Sequence, residues 1–148
     1  NTTSGAGLFG GFGQTNYGAA KMGLVGLVRV LAIEGAKYNI KANAIAPVAR
    51  TRMTEELLGP LKEKVEARFV SPLVAYLAHE SCEPTGRIFS AAGGRVAEVF
   101  IGEGPGYYDP ELSPESIASN WDAVTNRDDY IVPTQMPDEI ALYLKYLS

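Results

Sequence analysis

Tyr17 and Lys21 stand four residues apart, the spacing that places two side chains one turn apart on a single helix face. A free tyrosine titrates near ~10, too high for ready proton exchange at neutral pH. A fixed ammonium a few ångströms away favours the phenolate and makes a tyrosine a usable general acid/base. Hydride exchange at a carbonyl needs such a group, because a proton moves to or from oxygen as hydride moves at carbon. A second donor must hold that oxygen as charge develops. Ser4, in a Gly-rich stretch upstream of Tyr17, can supply it. The pair alone says little: a Tyr followed four residues later by Lys arises by chance in roughly a third of chains of this composition. Taken singly, Tyr17 also reads as a half-buried tyrosine at a helix start and Lys21 as a solvated lysine.

The elements that would position these groups follow from the pattern around them. Gly5, Gly7, Gly10, Gly11 and Gly13 mark residues 1–15 as an irregular loop. From Asn16 to about Ala36, the apolar residues Ala20, Leu24, Leu27, Val28 and Leu31 recur at helical spacing. Gly23 and Gly26 each cost such a helix about 1 kcal/mol relative to Ala, which points to a neighbour packed close against them. Residues 40–45 read as a short strand stopped by Pro47. Thr54, followed by Glu55 and Glu56, has the form of a helix start. Gly59-Pro60 breaks that helix, and Ser71-Pro72 opens another ending near His79. Pro84-Thr85-Gly86 turns into a second strand, Arg87 to Ala91, closed by Gly93-Gly94. This alternation of helix and strand predicts a parallel α/β sheet. Beyond it lie a Gly/Pro/Tyr-rich loop (residues 102–110), a helix capped by Ser113 with Ile117, Trp121 and Val124 on one face, and a last helix from about Pro137.

Composition narrows the function classes. Hydrophobic residues make up 46% of the 148, enough for a core, and the net charge of −4 offers no basic surface for nucleic-acid phosphates. Cys82 is the only cysteine, which excludes an intramolecular disulfide and fits a reducing compartment. No apolar run approaches the ~20 residues of a membrane helix, and the first residues lack the order of a signal peptide. The chain reads as soluble, intracellular and without membrane or nucleic-acid partners. It opens without Met and enters its best motif at once, which reads as the later part of a longer domain.

Three segments in order carry a family resemblance: Thr3-Ser4-Gly5-Ala6-Gly7, Gln14-Thr15-Asn16-Tyr17-Gly18-Ala19-Ala20-Lys21, and Asn43-Ala44-Ile45-Ala46-Pro47. Together they resemble the short-chain dehydrogenase/reductase superfamily over residues 1–94. Phe12-Gly13-Gln14, Leu31 to Gly35, Arg52-Met53-Thr54, His79 to Glu83 and Ser113 to Trp121 are similar to the dehydrogenase domain of peroxisomal multifunctional enzymes and its free-standing bacterial relatives. That likeness reaches to about residue 126. It implies a doubly wound, Rossmann-like α/β sheet of which this chain holds the C-terminal half: residues 1–94 as the catalytic half, 95–148 as an extension packed on the same domain. It implies NAD, with NADP open, as cofactor, (3R)-3-hydroxyacyl-CoA as substrate, and a homodimer. The location would be cytoplasmic in a bacterium or peroxisomal in a eukaryote. Ser4 would bind the substrate oxygen, Tyr17 would be the acid/base, and Lys21 would assist it and hold the nicotinamide ribose. Pro47, Val48 and Thr51 would face the nicotinamide, although Val48 stands where the family has glycine and the loop is one residue shorter.

Other readings stay open beside this one. The same group could reduce a 3-oxoacyl carrier-protein thioester or a steroid ketone, or the fold could serve as a non-catalytic interaction module. His79 and Cys82 lack partners for a metal site and read as a helix-end histidine and a loop or buried cysteine. Trp121 reads as core, and Tyr107-Tyr108 as lid or packing. Gly102 to Gly106 lacks the Lys-Ser/Thr of a phosphate loop.

Overall fold

In the computed structural model, which describes residues 1–147, the chain divides into two compact units, Asn1–Val99 and a second from Phe100 onward. A three-stranded sheet organises the first. Strand β1 (Ala44–Pro47) runs parallel to β2 (Ile88–Ala92), and β3 (Arg95–Val99) pairs antiparallel with β2. Residues 1–3 lie along the other edge of β1, where Thr3 N–H donates to the Ile45 carbonyl (2.8 Å) and Ile45 N–H to that of Asn1 (2.9 Å). The Gly-rich opening is therefore not wholly irregular. It pairs with the sheet, then forms a short helix, α1 (Gly5–Phe9).

Pro47 ends β1 but does not stop it short. Ala44 and Val48 donate their N–H groups to Arg87 and Ala91 of the β2 segment, whereas Ile45 donates to the opposite side. Pro47 falls on that opposite side, so its missing N–H costs the β1–β2 ladder nothing. The Asn43 side chain ties the start of β1 to that of β2, donating to the Pro84 carbonyl (2.8 Å) and accepting from Arg87 N–H (3.1 Å). Gly93 and Gly94, at φ 53° and 86°, form the two-residue turn between β2 and β3. Two left-handed positions in succession match the twist of a hairpin, so these glycines continue the sheet rather than end it.

Helix α2 (Thr15–Gly35) has about the expected extent, but of the expected stripe only Val28 is buried. Val25, Val28 and Ala32 are buried, Val25 and Val28 against Ala44 and Ile88, while Leu27 and Leu31 are exposed. The helix is apolar nearly all round, so period alone does not select the buried face. Among the described residues, nothing beyond the adjacent residues and the helix's own backbone lies within 4 Å of where a Cβ would stand on Gly23 or Gly26. Thr54 caps no helix. Its hydroxyl donates back to the Ala49 carbonyl (2.6 Å) and accepts from Thr51 N–H (2.9 Å), and residues 51–58 are turns followed by single-turn helices at Gly59–Glu63 and Ala67–Phe69. Helix α3 (Ser71–Ala78) carries Pro72 in its first turn and ends at His79.

The second unit holds α4 (Pro114–Ser119), α5 (Trp121–Val124) and α6 (Met136–Leu147). Ser113 and Ser116 cap α4 reciprocally, each hydroxyl accepting the other's N–H at 3.0 Å. Asn120 interrupts the expected single helix, and Trp121, expected in the core, is 57% exposed. Gly102 and Gly104 are required by space: a Cβ there would lie 2.9 Å from the Tyr130 ring and 2.4 Å from the Asn126 carbonyl. Tyr108 stacks on Tyr146 with ring centres 5.2 Å apart, and the Tyr107 hydroxyl donates to Asp109 at 3.3 Å. No helix among the described residues is long and apolar enough to cross a membrane.

Candidate functional site

Ser4 stands where two structures meet. It follows the strand-like residues 1–3 with an extended backbone (φ −155°, ψ 152°), and its hydroxyl caps α1 by accepting from Ala6 N–H at 3.2 Å. Because that bond uses an acceptor site, the hydroxyl proton remains for a substrate oxygen. Gly10 (φ 85°) and Gly13 (φ 73°) then turn the chain back, so that α2 runs against α1.

The approach of α1 to α2 depends on two glycines. A Cβ on Gly7 would lie 2.8 Å from the Lys21 Cβ and 2.9 Å from the Met22 nitrogen, and one on Gly18 would lie 3.2 Å from the Ala6 carbonyl oxygen. Replacing Gly7 by Ala must push α1 off α2, and backbone cannot yield as a flexible side chain does. We expect Gly7→Ala to cost about 1–3 kcal/mol, as overpacking does, and to lower turnover by moving Ser4. Thermal melting with kinetics on the refolded variant checks this. An unchanged melting temperature would contradict the close approach.

Tyr17 lies in the first turn of α2 and is 46% exposed, with its ring available to a ligand. One turn on, the Lys21 ammonium sits 5.6 Å from the Tyr17 ring centre, within the range of a cation–π contact, and donates to the Thr2 carbonyl at 2.9 Å. Two of its three protons remain. Thr3, adjacent to Ser4, donates its hydroxyl to the Lys21 carbonyl at 2.6 Å. Ser4 therefore falls between two points where its segment touches α2: Thr3 on one side, Ala6 and Gly7 on the other.

The segment Pro47 to Thr51 begins where β1 ends, beside the end of the parallel segment that leads to Ser4. In open α/β sheets, ligands bind in the crevice outside the carboxyl ends of the strands. Both groups of expected residues occupy that edge. Within the loop, Val48 N–H is committed to Ala91, and Val48 itself is exposed. Thr51 is exposed, its hydroxyl 3.1 Å from that of Thr54. What the loop can offer a ligand is carbonyl oxygens and the Thr51 hydroxyl, not the Val48 N–H.

Thr3, Gly7 and Gly18 escaped the sequence reading. Glycine spacing was a signal for the last two, but nothing in the sequence separates Thr3 from Thr2. His79 and Cys82 stay outside the site. The His79 ring accepts from Ser81 N–H (3.1 Å), and Cys82 is buried with its thiol directed at the Pro84 carbonyl.

A family model described as short chain dehydrogenase matches residues 1–60. Over 126 residues the chain is 50% identical to a putative short-chain type dehydrogenase/reductase of Mycobacterium tuberculosis, covering 84% of this chain and 44% of that protein. It is 46% identical over 149 residues to the peroxisomal hydratase-dehydrogenase-epimerase of Saccharomyces cerevisiae, covering 97% of this chain and 17% of that protein. Full-length peroxisomal multifunctional enzyme type 2 from Drosophila melanogaster superposes with a TM-score of 0.84 at 32% identity, over 99% of this chain and 27% of that one. The chain spans less than half the length of each of these relatives.

Proposed function

The chain belongs to the short-chain dehydrogenase family, and from that premise we propose that it supplies the proton-handling half of an NAD(P)-dependent oxidoreductase that interconverts a hydroxyl and a carbonyl on (3R)-3-hydroxyacyl-CoA. One observation supports the reading above the others. The Lys21 ammonium is fixed between the Thr2 carbonyl and the Tyr17 ring, one helical turn from the phenol, at the strand end that also presents Ser4.

The donor set fits a dinucleotide. The two unshared Lys21 protons suit a pair of ribose hydroxyls, and the Pro47 and Val48 carbonyls with the Thr51 hydroxyl suit a carboxamide, which both donates and accepts. The bound nicotinamide supplies the hydride acceptor, or the donor in reverse. Ser4 donates its hydroxyl proton to the substrate oxygen and holds it against Tyr17. In oxidation the Tyr17 phenolic oxygen takes the proton of the substrate hydroxyl, and in reduction it returns one. Lys21, anchored to the Thr2 carbonyl, holds its ammonium over the Tyr17 ring. The thioester assignment rests on the extended likeness through Trp121, which reaches past the family's shared motifs.

The reading includes a two-fold dimer. The face of α2 that carries Gly23 and Gly26 also carries exposed Leu27 and Val30, and a symmetric pair of such helices would bring the glycines backbone to backbone. Sedimentation of the protein as expressed from its whole gene is expected to show a dimer at micromolar concentration. Replacing Gly26 by a bulky residue such as Gln should shift it toward monomer. A monomer alone in the unaltered protein contradicts the proposal.

A further inference from the structure

Thr3 is the buried polar residue among those described, 2% exposed, and its hydroxyl reaches across to donate to the main-chain carbonyl of Lys21 at 2.6 Å. That carbonyl sits inside α2, whose own ladder of hydrogen bonds already gives it a partner. The Thr3 bond is therefore not needed to satisfy the helix. One residue earlier, the Thr2 carbonyl accepts the Lys21 ammonium at 2.9 Å. Both ends of Lys21, its backbone carbonyl and its charged tip, are thus held by the two residues immediately ahead of Ser4. The backbone of Thr3 is itself fixed to the sheet by its N–H bond to Ile45, at 2.8 Å.

The other attachments between this segment and α2 are of a different kind. Gly7 and Gly18 permit close approach, and van der Waals contact of that sort limits distance without preventing sliding along the helix axis. A short, directional hydrogen bond from a buried hydroxyl does prevent it. We infer that Thr3 is a positioning residue: its hydroxyl sets the height of α2 against the strand end that carries Ser4, and so the place of the Tyr17 oxygen relative to the Ser4 oxygen. The inference rests on the proposed oxidoreductase reading, because register matters here only if Ser4 and Tyr17 share one substrate oxygen.

The test uses Thr3→Val, which keeps the shape and removes the hydroxyl, beside Thr3→Ser, which keeps the hydroxyl and removes a methyl. Both are made in the protein as expressed from its whole gene, with active sites counted by dinucleotide binding. Thr3→Val is expected to lower kcat roughly ten- to hundredfold, the scale of an ångström misplacement, with KM and dinucleotide affinity held within about threefold. Thr3→Ser is expected to restore kcat to within about threefold of the unaltered protein. A purely structural role predicts the reverse pattern: fewer folded sites in both variants and native kcat per site. Native kcat in Thr3→Val, or equal losses of kcat and affinity, overturns the proposal. If Thr3→Val does not fold, Thr3→Ser decides alone, and a tenfold loss of kcat in that variant overturns it. Failure of the oxidoreductase reading is distinct, since the unaltered protein would then show no dinucleotide-linked turnover.

Discussion

Tyr17→Phe is expected to lower turnover by roughly a thousandfold while leaving the protein folded, the scale on which a positioned general acid/base contributes. The substitution deletes one oxygen atom. Tyr17 is 46% exposed, so the loss of its hydroxyl should change stability by no more than the ~0.5 kcal/mol usual at a surface. The ring remains beside the Lys21 ammonium, and the helix register is untouched because Lys21 is anchored through Thr2 and Thr3 rather than through the phenol. Dinucleotide affinity should therefore persist. Kinetics and thermal melting on the same preparation check the prediction. A variant that keeps most of its activity refutes the role given to Tyr17, whereas one that loses activity together with its melting transition shows a structural tyrosine.

The pairing of Tyr17 with Lys21 on one helix was legible because the proposed chemistry needs particular side chains at particular spacing. Tyr17 and Lys21 are one helical turn apart whatever the rest of the chain does, and α2 begins within a residue of where periodicity places it. What could not be read was the phase of that helix. Of the expected stripe Ala20, Leu24, Leu27, Val28 and Leu31, Val28 alone is buried; Val25 and Ala32 join it because the partner, here Ala44 and Ile88, selects the face. Thr54 misled for a related reason. Threonine before two glutamates has the form of a helix cap, but its hydroxyl found the Ala49 carbonyl, the kind of local bond that competes with helix formation. Pro47 does end β1 but leaves its ladder intact, because the direction in which each N–H of β1 points is set by pairing, not by sequence. Gly93-Gly94 does close the second strand, but nothing in it announced that β3 would pair back antiparallel. Thr3 was invisible, since burial alone distinguishes it from Thr2.

The hand of the substrate should matter nearly as much as the Tyr17 hydroxyl. Hydride leaves one face of the reacting carbon, and in the proposed reaction Ser4 with Tyr17 would fix the oxygen on one side of the nicotinamide. The mirror-image alcohol can keep its oxygen in place only by turning the wrong substituent toward the cofactor. A pocket built to hydrogen-bond its substrate rejects such misfits strongly, because its polar groups are left without partners. We expect a preference of about a hundredfold or more in kcat/KM for the (3R) over the (3S) medium-chain 3-hydroxyacyl-CoA. Paired assays of the two enantiomers, each with NAD and NADP, measure it. Equal rates for both hands would contradict the placement of Ser4 and Tyr17. Brisk turnover of a steroid beside inert thioesters would transfer the activity to another carbonyl.

The most direct test of the whole account is the fate of dinucleotide and thioester together in one reaction. Purified protein expressed from the whole gene is mixed with a medium-chain (3R)-3-hydroxyacyl-CoA and NAD or NADP. The near-ultraviolet absorbance of the reduced dinucleotide is followed while the thioester products are separated. The account predicts reduced dinucleotide and 3-oxoacyl-CoA appearing in equal amounts, with both absent from the Tyr17→Phe protein. A folded protein that binds dinucleotide yet forms neither product, or a Tyr17→Phe protein that forms both at the native rate, would contradict it.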